Sequence, residues 1–350
     1  LRVRLDPARP SLIPAEIGGL KNLKSLQLNS GFYGSIPSTL GELTQLHDLF
    51  IGSSALTGAL PDSIGQLKAL TTMSIQCHGS GFGMDQLPST IGDLPQLTNL
   101  VLTCKVRGTI PPEITKLERL ATLTLSFNEL RGAVPRFPLS ILKVALGNNQ
   151  LTHFADDGDT QDLLAYPELS GLDLQRNNLT TYPKAVLRSP KISSVRLSFN
   201  QIQEPLPSYT FKYGSQTNFD FSNNAITGTL PSQLSSQIWA VNLANNRLTG
   251  TVPPEFTLPS AFSTLILDNN LLEGNLTGWD IPYISNGGIL RMLSLSVKNN
   301  RLSGQLSDLG HNNRLTELNL ANNQLSGSLP RLPSTLTSLD MSKNELTSLA

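Results

Sequence analysis

The sequence predicts an α/β solenoid, an array of stacked coils in which each coil adds one short strand to a parallel sheet and returns through a 3₁₀ or irregular turn. Three observations predict it. Apolar residues recur in a register that resets about every 24 residues, as Leu20, Leu23, Leu26, Leu28, then Leu43, Leu46, Leu49, Ile51, then Leu67, Leu70, Met73, Ile75. The last two residues of each set alternate with period 2, the mark of a half-buried strand. In the later coils an asparagine stands three residues beyond the last strand leucine. Repetition at this period is the mark of a repeat architecture.

The strands are the clearest element. Leu123-Thr124-Leu125, Val144-Ala145-Leu146, Val241-Asn242-Leu243 and Leu318-Asn319-Leu320 each offer two inward apolar residues around one outward position. The asparagines that follow are Asn128, Asn149, Asn177, Asn200, Asn224, Asn246, Asn270, Asn300, Asn323 and Asn344. Their short amide side chains are expected to pair with backbone groups that the departing strand leaves orphaned, and with the backbone of the next coil. Two residues further on an apolar residue returns to the core, as at Leu130, Leu151, Ile202 and Leu272. The far side of the coil carries Gly-x-x-Pro, as in Gly34-Ser35-Ile36-Pro37, Gly58-Ala59-Leu60-Pro61 and Gly250-Thr251-Val252-Pro253. Glycine permits the turn and proline ends an extended segment where no N–H needs a partner. Ile64-Gly65-Gln66-Leu67 and Ile91-Gly92-Asp93-Leu94 then suit a short 3₁₀ turn before the next strand.

This pattern of leucines and one asparagine resembles the leucine-rich repeat family over nearly all of the chain, from Val3 to Leu349. The resemblance implies a right-handed superhelix with a parallel concave sheet and short 3₁₀ or irregular convex segments. The Gly-x-x-Pro signature resembles the plant-type subclass, found in receptor-kinase ectodomains and polygalacturonase-inhibiting proteins. Residues 1–350 read as one domain of about fifteen coils, beginning in a fragmentary coil with strand candidates Val3 and Leu5. Plant extracellular members usually carry cysteine pairs flanking the repeats. Both ends here stop in repeat-like sequence without such pairs, so truncation at both ends is expected. The chain does not begin with Met or an apolar signal core, so a secretory signal was removed or never existed.

Composition excludes several classes. Twenty-six basic and 26 acidic residues balance to a formal net charge of zero, which disfavours nucleic acid and anionic membranes as partners. No stretch reaches the roughly 20 apolar residues that span a bilayer, so any membrane attachment lies in segments outside the chain. The four histidines, His47, His78, His153 and His311, fall in different coils without a zinc-ligand pattern. No nucleophile elbow or phosphate loop is present, so no catalytic residue, metal or cofactor is expected, and a kinase domain would lie outside the chain. Expanded loops are expected near 78–87, 153–168 and 274–289. Asp156, Asp157 and Asp159 in the second read as a solvated acidic loop rather than a calcium site.

The candidate site is the row of residues between the inward pairs. It runs Gln27, Phe50, Ser74, Val101, Thr124, Ala145, then Asp173, Arg196, Asp220 and Asn242. Its first half is small, neutral or apolar, and its middle alternates charge, with Arg176 close by. Such a mixed surface suits a peptide or protein. Phe127 and Phe199 precede their turn asparagines, where a ring stands half exposed as an anchor or packs coil on coil. The binding candidates are therefore Phe50, Phe127, Asp173, Arg176, Arg196, Phe199 and Asp220. Trp279 is expected to pack the last expanded loop. Cys77 and Cys104 each lie two residues after the last apolar strand residue of consecutive coils, Ile75 and Leu102. Equivalent places on adjacent strands approach closely enough for a disulfide, whereas a register shift through the long loop between them would leave two free, semi-buried thiols. Asn178 and Asn275 open glycosylation sequons, a triplet that this repeat generates readily by chance.

By that resemblance, the leading function is ligand recognition by the ectodomain of a receptor-like protein or receptor kinase, extracellular or at the cell surface, with a protein or peptide ligand and a co-receptor as partners. Two alternatives stand beside it: a secreted inhibitor of the polygalacturonase-inhibiting type, and a cytoplasmic leucine-rich-repeat scaffold.

Overall fold

Two apolar residues at period 2 make one face of a strand, which is buried against the return segment of its own coil while parallel neighbours one coil away on either side close the core. The computed structural model of the protein follows this rule throughout residues 2–4, 11–29, 31–53, 55–77, 83–155, 166–211, 217–232, 235, 238–253, 256, 263–276, 292–310 and 314–349, which are the residues described. Leu5, His78, Asp156, Asp157, Asp159, Trp279 and His311 lie outside them, as do 78–82, 156–165 and 277–289 of the expanded loops. The chain divides into two compact units, Leu1–Leu179 and Thr180–Ala350.

In the first unit the inner strands are Arg2–Arg4, Ser25–Asn29, Asp48–Ser53, Thr72–Cys77, Asn99–Thr103, Thr122–Thr124, Lys143–Ala145 and Gly171–Asp173, all parallel. Inward leucines meet in register, Leu49 beside Met73 and Ile51 beside Ile75, then Met73 beside Leu100 and Ile75 beside Leu102. All are fully buried. Behind them run 3₁₀ turns at Ala15–Gly19, Ser38–Glu42, Asp62–Gln66, Ser89–Asp93 and Pro112–Lys116, each entered from a proline whose ring fixes the approach. The glycine in these turns answers to coil spacing. A Cβ on Gly41 would lie 2.3 Å from the Ser63 carbonyl oxygen, and one on Gly92 would lie 2.5 Å from that of Glu113.

Strand length changes where the asparagine enters. Asp48–Ser53 and Thr72–Cys77 have six residues each, in coils that carry Ser54 and His78 where later coils have asparagine. From Asn128 onward the residue before the asparagine takes a left-handed conformation, as at Phe127 (φ +60°) and Asn148 (φ +58°), and the strand ends earlier. Asn128 then does four things at once. Its Oδ1 accepts from the Cys104 and Val106 N–H groups at 3.1 and 2.9 Å, and its Nδ2 donates to the Leu102 and Leu125 carbonyls at 2.8 Å each. Apart from the local bond to Leu125, these reach the preceding coil, which corrects the expectation that they reach the next one. The strand leaves its carbonyls behind as it turns, so the amide is carried back over the coil already laid down. Asn149 and Asn177 repeat the pattern through Leu130 N–H and Leu151 N–H.

Cys77 and Cys104 are disulfide-bonded, with Cα atoms 4.6 Å apart. Of the two readings left open by the sequence, the structure takes the bonded one. The reason is register: Gln76 and Thr103 are still paired at the ends of their strands, so the long connection between them is accommodated without a slip.

The second unit has inner strands Ser194–Arg196, Thr217–Asp220, Ile238–Asn242, Thr264–Ile266, Ser294–Ser296, Glu317–Asn319 and Ser338–Asp340. A second parallel row runs through Thr249–Gly250, Leu271–Asn275, Arg301–Gly304, Gln324–Leu329 and Glu345–Leu349. Aromatics replace leucine in part of its core. Phe211 meets Phe219 edge-on at 5.1 Å and Phe256 at 5.8 Å, and Phe221 lies 6.1 Å from the ring of buried Tyr182. The asparagine stitch continues at Asn224, Asn246, Asn270, Asn300, Asn323 and Asn344, each accepting an N–H from the preceding coil. Asn200 donates to the Leu197 carbonyl of its own strand at 2.9 Å.

Candidate functional site

Strand alternation puts one residue of every inward pair's interval on the open face of the inner sheet, and the left-handed turn places a second beside it. In the first unit these positions hold Phe50 on Asp48–Ser53, Phe127 at the turn after Thr122–Thr124, and Asp173 and Arg176 on and after Gly171–Asp173. Phe127 is 69% exposed, and its N–H donates to the Gly147 carbonyl at 2.9 Å. Arg176 is exposed and also left-handed, at φ +55°. Asp173 is drawn into its own turn: Oδ1 accepts the Gln175 N–H at 3.1 Å and Oδ2 lies 3.4 Å from the Gln175 amide nitrogen. Phe50 stands apart from these, with the strands Thr72–Cys77 and Asn99–Thr103 between it and Phe127.

In the second unit, Arg196 and Asp220 are direct neighbours across the parallel ladder. Asp220 holds its own turn through the Ser222 hydroxyl at 2.7 Å and the Ser222 N–H at 3.2 Å. Phe199 is 46% exposed at φ +57°. The farther Asp340 repeats the Asp220 arrangement, and the donated Ser342 hydroxyl and N–H hold its carboxyl below the usual carboxylate range.

A large side chain in the left-handed region carries backbone strain, commonly about 1–3 kcal/mol. Six coils put asparagine at this turn, the residue with a side chain that tolerates it best: Asn148, Asn223, Asn245, Asn269, Asn299 and Asn322. In the second unit their amides form a chain, Asn245 donating to Asn223 at 3.1 Å, Asn269 to Asn245 at 2.8 Å, Asn299 to Asn269, and Asn322 to Asn299 at 2.8 Å. The sequence reading passed over this outer row, although the Asn-Asn doublets announced it. Phe127 and Phe199 are the two aromatic departures from it, strained and exposed together.

Asn178 is exposed, its N–H donated to the Leu151 carbonyl at 2.8 Å. Asn275 is exposed too, but its amide lies so close against Gly304 that a Cβ there would stand 1.8 Å from Oδ1. Among the described residues no group of three or more His, Cys, Asp or Glu side chains is placed to hold a metal, and no helix is long and apolar enough to cross a membrane.

Comparison with known proteins fits this geometry. A family model described as Leucine Rich Repeat matches residues 314–336. Receptor-like protein 41 of Arabidopsis thaliana is 28% identical over 310 residues, covering 85% of this chain. A TDR receptor crystal structure superposes with a TM-score of 0.68 at 25% identity, covering 96% of this chain and 54% of that one. The chain folds as a leucine-rich-repeat solenoid and is similar to plant-type members of that family. A plant peptide hormone receptor, RGFR1, solved in complex with RGF2, matches this leucine-rich-repeat chain with a TM-score of 0.58 at 26% identity, covering 95% of it and 65% of the receptor. The chain spans about a third of the length of the receptor-like proteins 39 and 41 that it matches, 33% in each case.

Proposed function

We propose that this leucine-rich-repeat chain is the ligand-recognising part of a receptor-like protein, outside the cell or at its surface, and that its inner sheets bind a peptide or protein, with a co-receptor as a further partner. The observation that carries the reading is the strained, exposed Phe127, set where other coils place asparagine. An exposed aromatic held in a fixed backbone is a low-entropy anchor of the kind that dominates protein interfaces. Receptor-like proteins and a peptide-hormone receptor among its relatives support the same reading. Phe127, Asp173 and Arg176 supply the contacts in the first unit, and Arg196, Phe199 and Asp220 those in the second. The disulfide Cys77–Cys104 fits an oxidising compartment better than a cytoplasmic scaffold.

The test is affinity capture of secreted peptides and proteins on the immobilised chain, read by mass spectrometry, with Phe127→Ala and Arg196→Ala in parallel. Ligands retained by the parent and lost from the variants are expected. Identical retention by all three would sink the assignment to these faces.

A further inference from the structure

The early part of the first unit's inner face carries chemistry that the peptide reading does not use. The ring of Phe50 leans along its own strand over Gly52. A Cβ at Gly52 would lie 3.4 Å from Phe50 Cε1 and 3.7 Å from Cζ, and Gly52 is buried beneath it. Phe50 itself is half-buried. Register puts Gln27 and Ser74 on either side of Phe50, and Asn29 and Gln76 on either side of Gly52. The Asn29 Oδ1 reaches within 3.8 Å of the same Gly52 Cβ position, and Gln76 Nε2 donates to the Ser74 hydroxyl at 3.0 Å, which orients its amide. Across the strands from Ser25–Asn29 to Asn99–Thr103 the outward positions hold amides, hydroxyls, Phe50 and Val101, with one charge, Asp48.

A reclining aromatic ring bordered by planar amides and hydroxyls has the features of a sugar site. The C–H face of a pyranose covers the ring, and vicinal hydroxyls match the paired donor and acceptor of a carboxamide. Arg2 and Arg4 pair with Gln27 and Asn29 across the ladder at one border of this face, so the strands from Ser25–Asn29 to Asn99–Thr103, which hold no cation, are its neutral part, and an apolar protein surface would leave the flanking amides unpaired. The polar positions recur at the strand spacing of about 4.8 Å, comparable to the length of one sugar ring. We propose that this face binds a neutral oligosaccharide, with Phe50 as its stacking platform and Gln27, Asn29 and Gln76 as its hydrogen-bonding groups.

The proposal does not rest on the peptide reading, since it uses other strands and other side chains. It is tested by calorimetric titration of the intact, disulfide-bonded protein with cellohexaose, xylohexaose and laminarihexaose, and with hexagalacturonate as the charged control. Saturable binding of at least one neutral hexasaccharide is expected, weakened about tenfold or more in Phe50→Ala and in Gln76→Ala, strengthened in Phe50→Trp, and unchanged in Asp48→Asn. Circular dichroism establishes that each variant is folded, and Phe50→Trp with Gln76→Ala still decides the matter if Phe50→Ala is not. Silence with all three neutral sugars up to about 10 mM overturns the proposal. So do equal affinity in the parent and the folded variants, tighter binding of the galacturonate, and capture of a polypeptide by the Phe50 face in place of sugar.

Discussion

One buried carboxamide per coil decides how each later coil is fastened to the one before it. Asn270 accepts the Leu248 N–H at 3.0 Å and donates to the Leu243 and Leu267 carbonyls at 3.0 Å each. Truncation leaves those groups buried without partners, at about 1–3 kcal/mol for each one that water cannot reach. Asn270→Ala is therefore expected to lose about 2–4 kcal/mol in chemical denaturation. Asn270→Asp should do as badly at neutral pH, because a carboxylate keeps the acceptor but loses both donated bonds. A loss near zero in either variant would mean that coil packing, not the amide, holds the stack. Tyr182 gives a residue-scale test with a pH signature. It is buried beside Phe221, its hydroxyl donates to the Glu204 carbonyl at 3.2 Å, and burial, with a smaller contribution from the Glu204 charge, pushes its pKa far above the ordinary tyrosine value. The unfolded chain ionises near pH 10 while the folded one stays protonated, so the folded state binds more protons there and stability falls as pH rises past about 10. Thermal unfolding followed from pH 8 to 11 should show this alkaline loss, and Tyr182→Phe should flatten it. An unchanged alkaline slope in the variant would assign the effect elsewhere.

At the scale of the element, the strand pair Thr72–Cys77 and Asn99–Thr103 closes a long connection through Cys77–Cys104, a sequence separation of 27. A closed loop of that length removes unfolded-state entropy worth about 3.5 kcal/mol. Reduction, or Cys77→Ser with Cys104→Ser, is expected to lower stability by about 2–4 kcal/mol, seen as an earlier denaturant midpoint that follows the redox state of the sample. A midpoint indifferent to reductant would show that the paired strands alone fix the register. This element also shows what the sequence could tell. Inward pairs such as Met73–Ile75 and Leu100–Leu102 were legible because burial imposes a period on residue type, and the asparagine spacing was legible because one geometry recurs in every later coil. The direction a side chain takes once the strand has ended leaves no such period. The sequence therefore left open whether Cys77 and Cys104 meet, and it pointed the asparagines toward the wrong neighbour. Nor did it reveal that Asp173 and Asp220, read only as binding residues, also hold their own turns through Gln175 and Ser222. The longer strands of the early coils were foreshadowed by the missing asparagine at Ser54 and His78, since without the left-handed turn nothing ends the ladder early.

At the scale of the whole chain, 26 cations and 26 anions leave no long-range field to gather a charged ligand. Attraction beyond a Debye length, about 10 Å at 0.1 M salt, then averages away, and what remains is contact chemistry on the inner sheets. This separates two ways of recognising a peptide. A steered interface loses association rate steeply with salt, whereas an anchored one loses little and spends its specificity on dissociation. For a peptide recovered by affinity capture, surface plasmon resonance between about 0.05 and 0.5 M NaCl is expected to change the association rate by less than about threefold. Phe127→Ala should raise the dissociation rate about tenfold or more while leaving the association rate nearly untouched, as loss of an anchor does. Arg196→Ala, which removes a charge beside Asp220 on the ladder, should be the variant that alters the salt slope. A rate that collapses with salt in the parent protein, together with a silent Phe127→Ala, would transfer the recognition from the strained aromatic to the charged middle of the row.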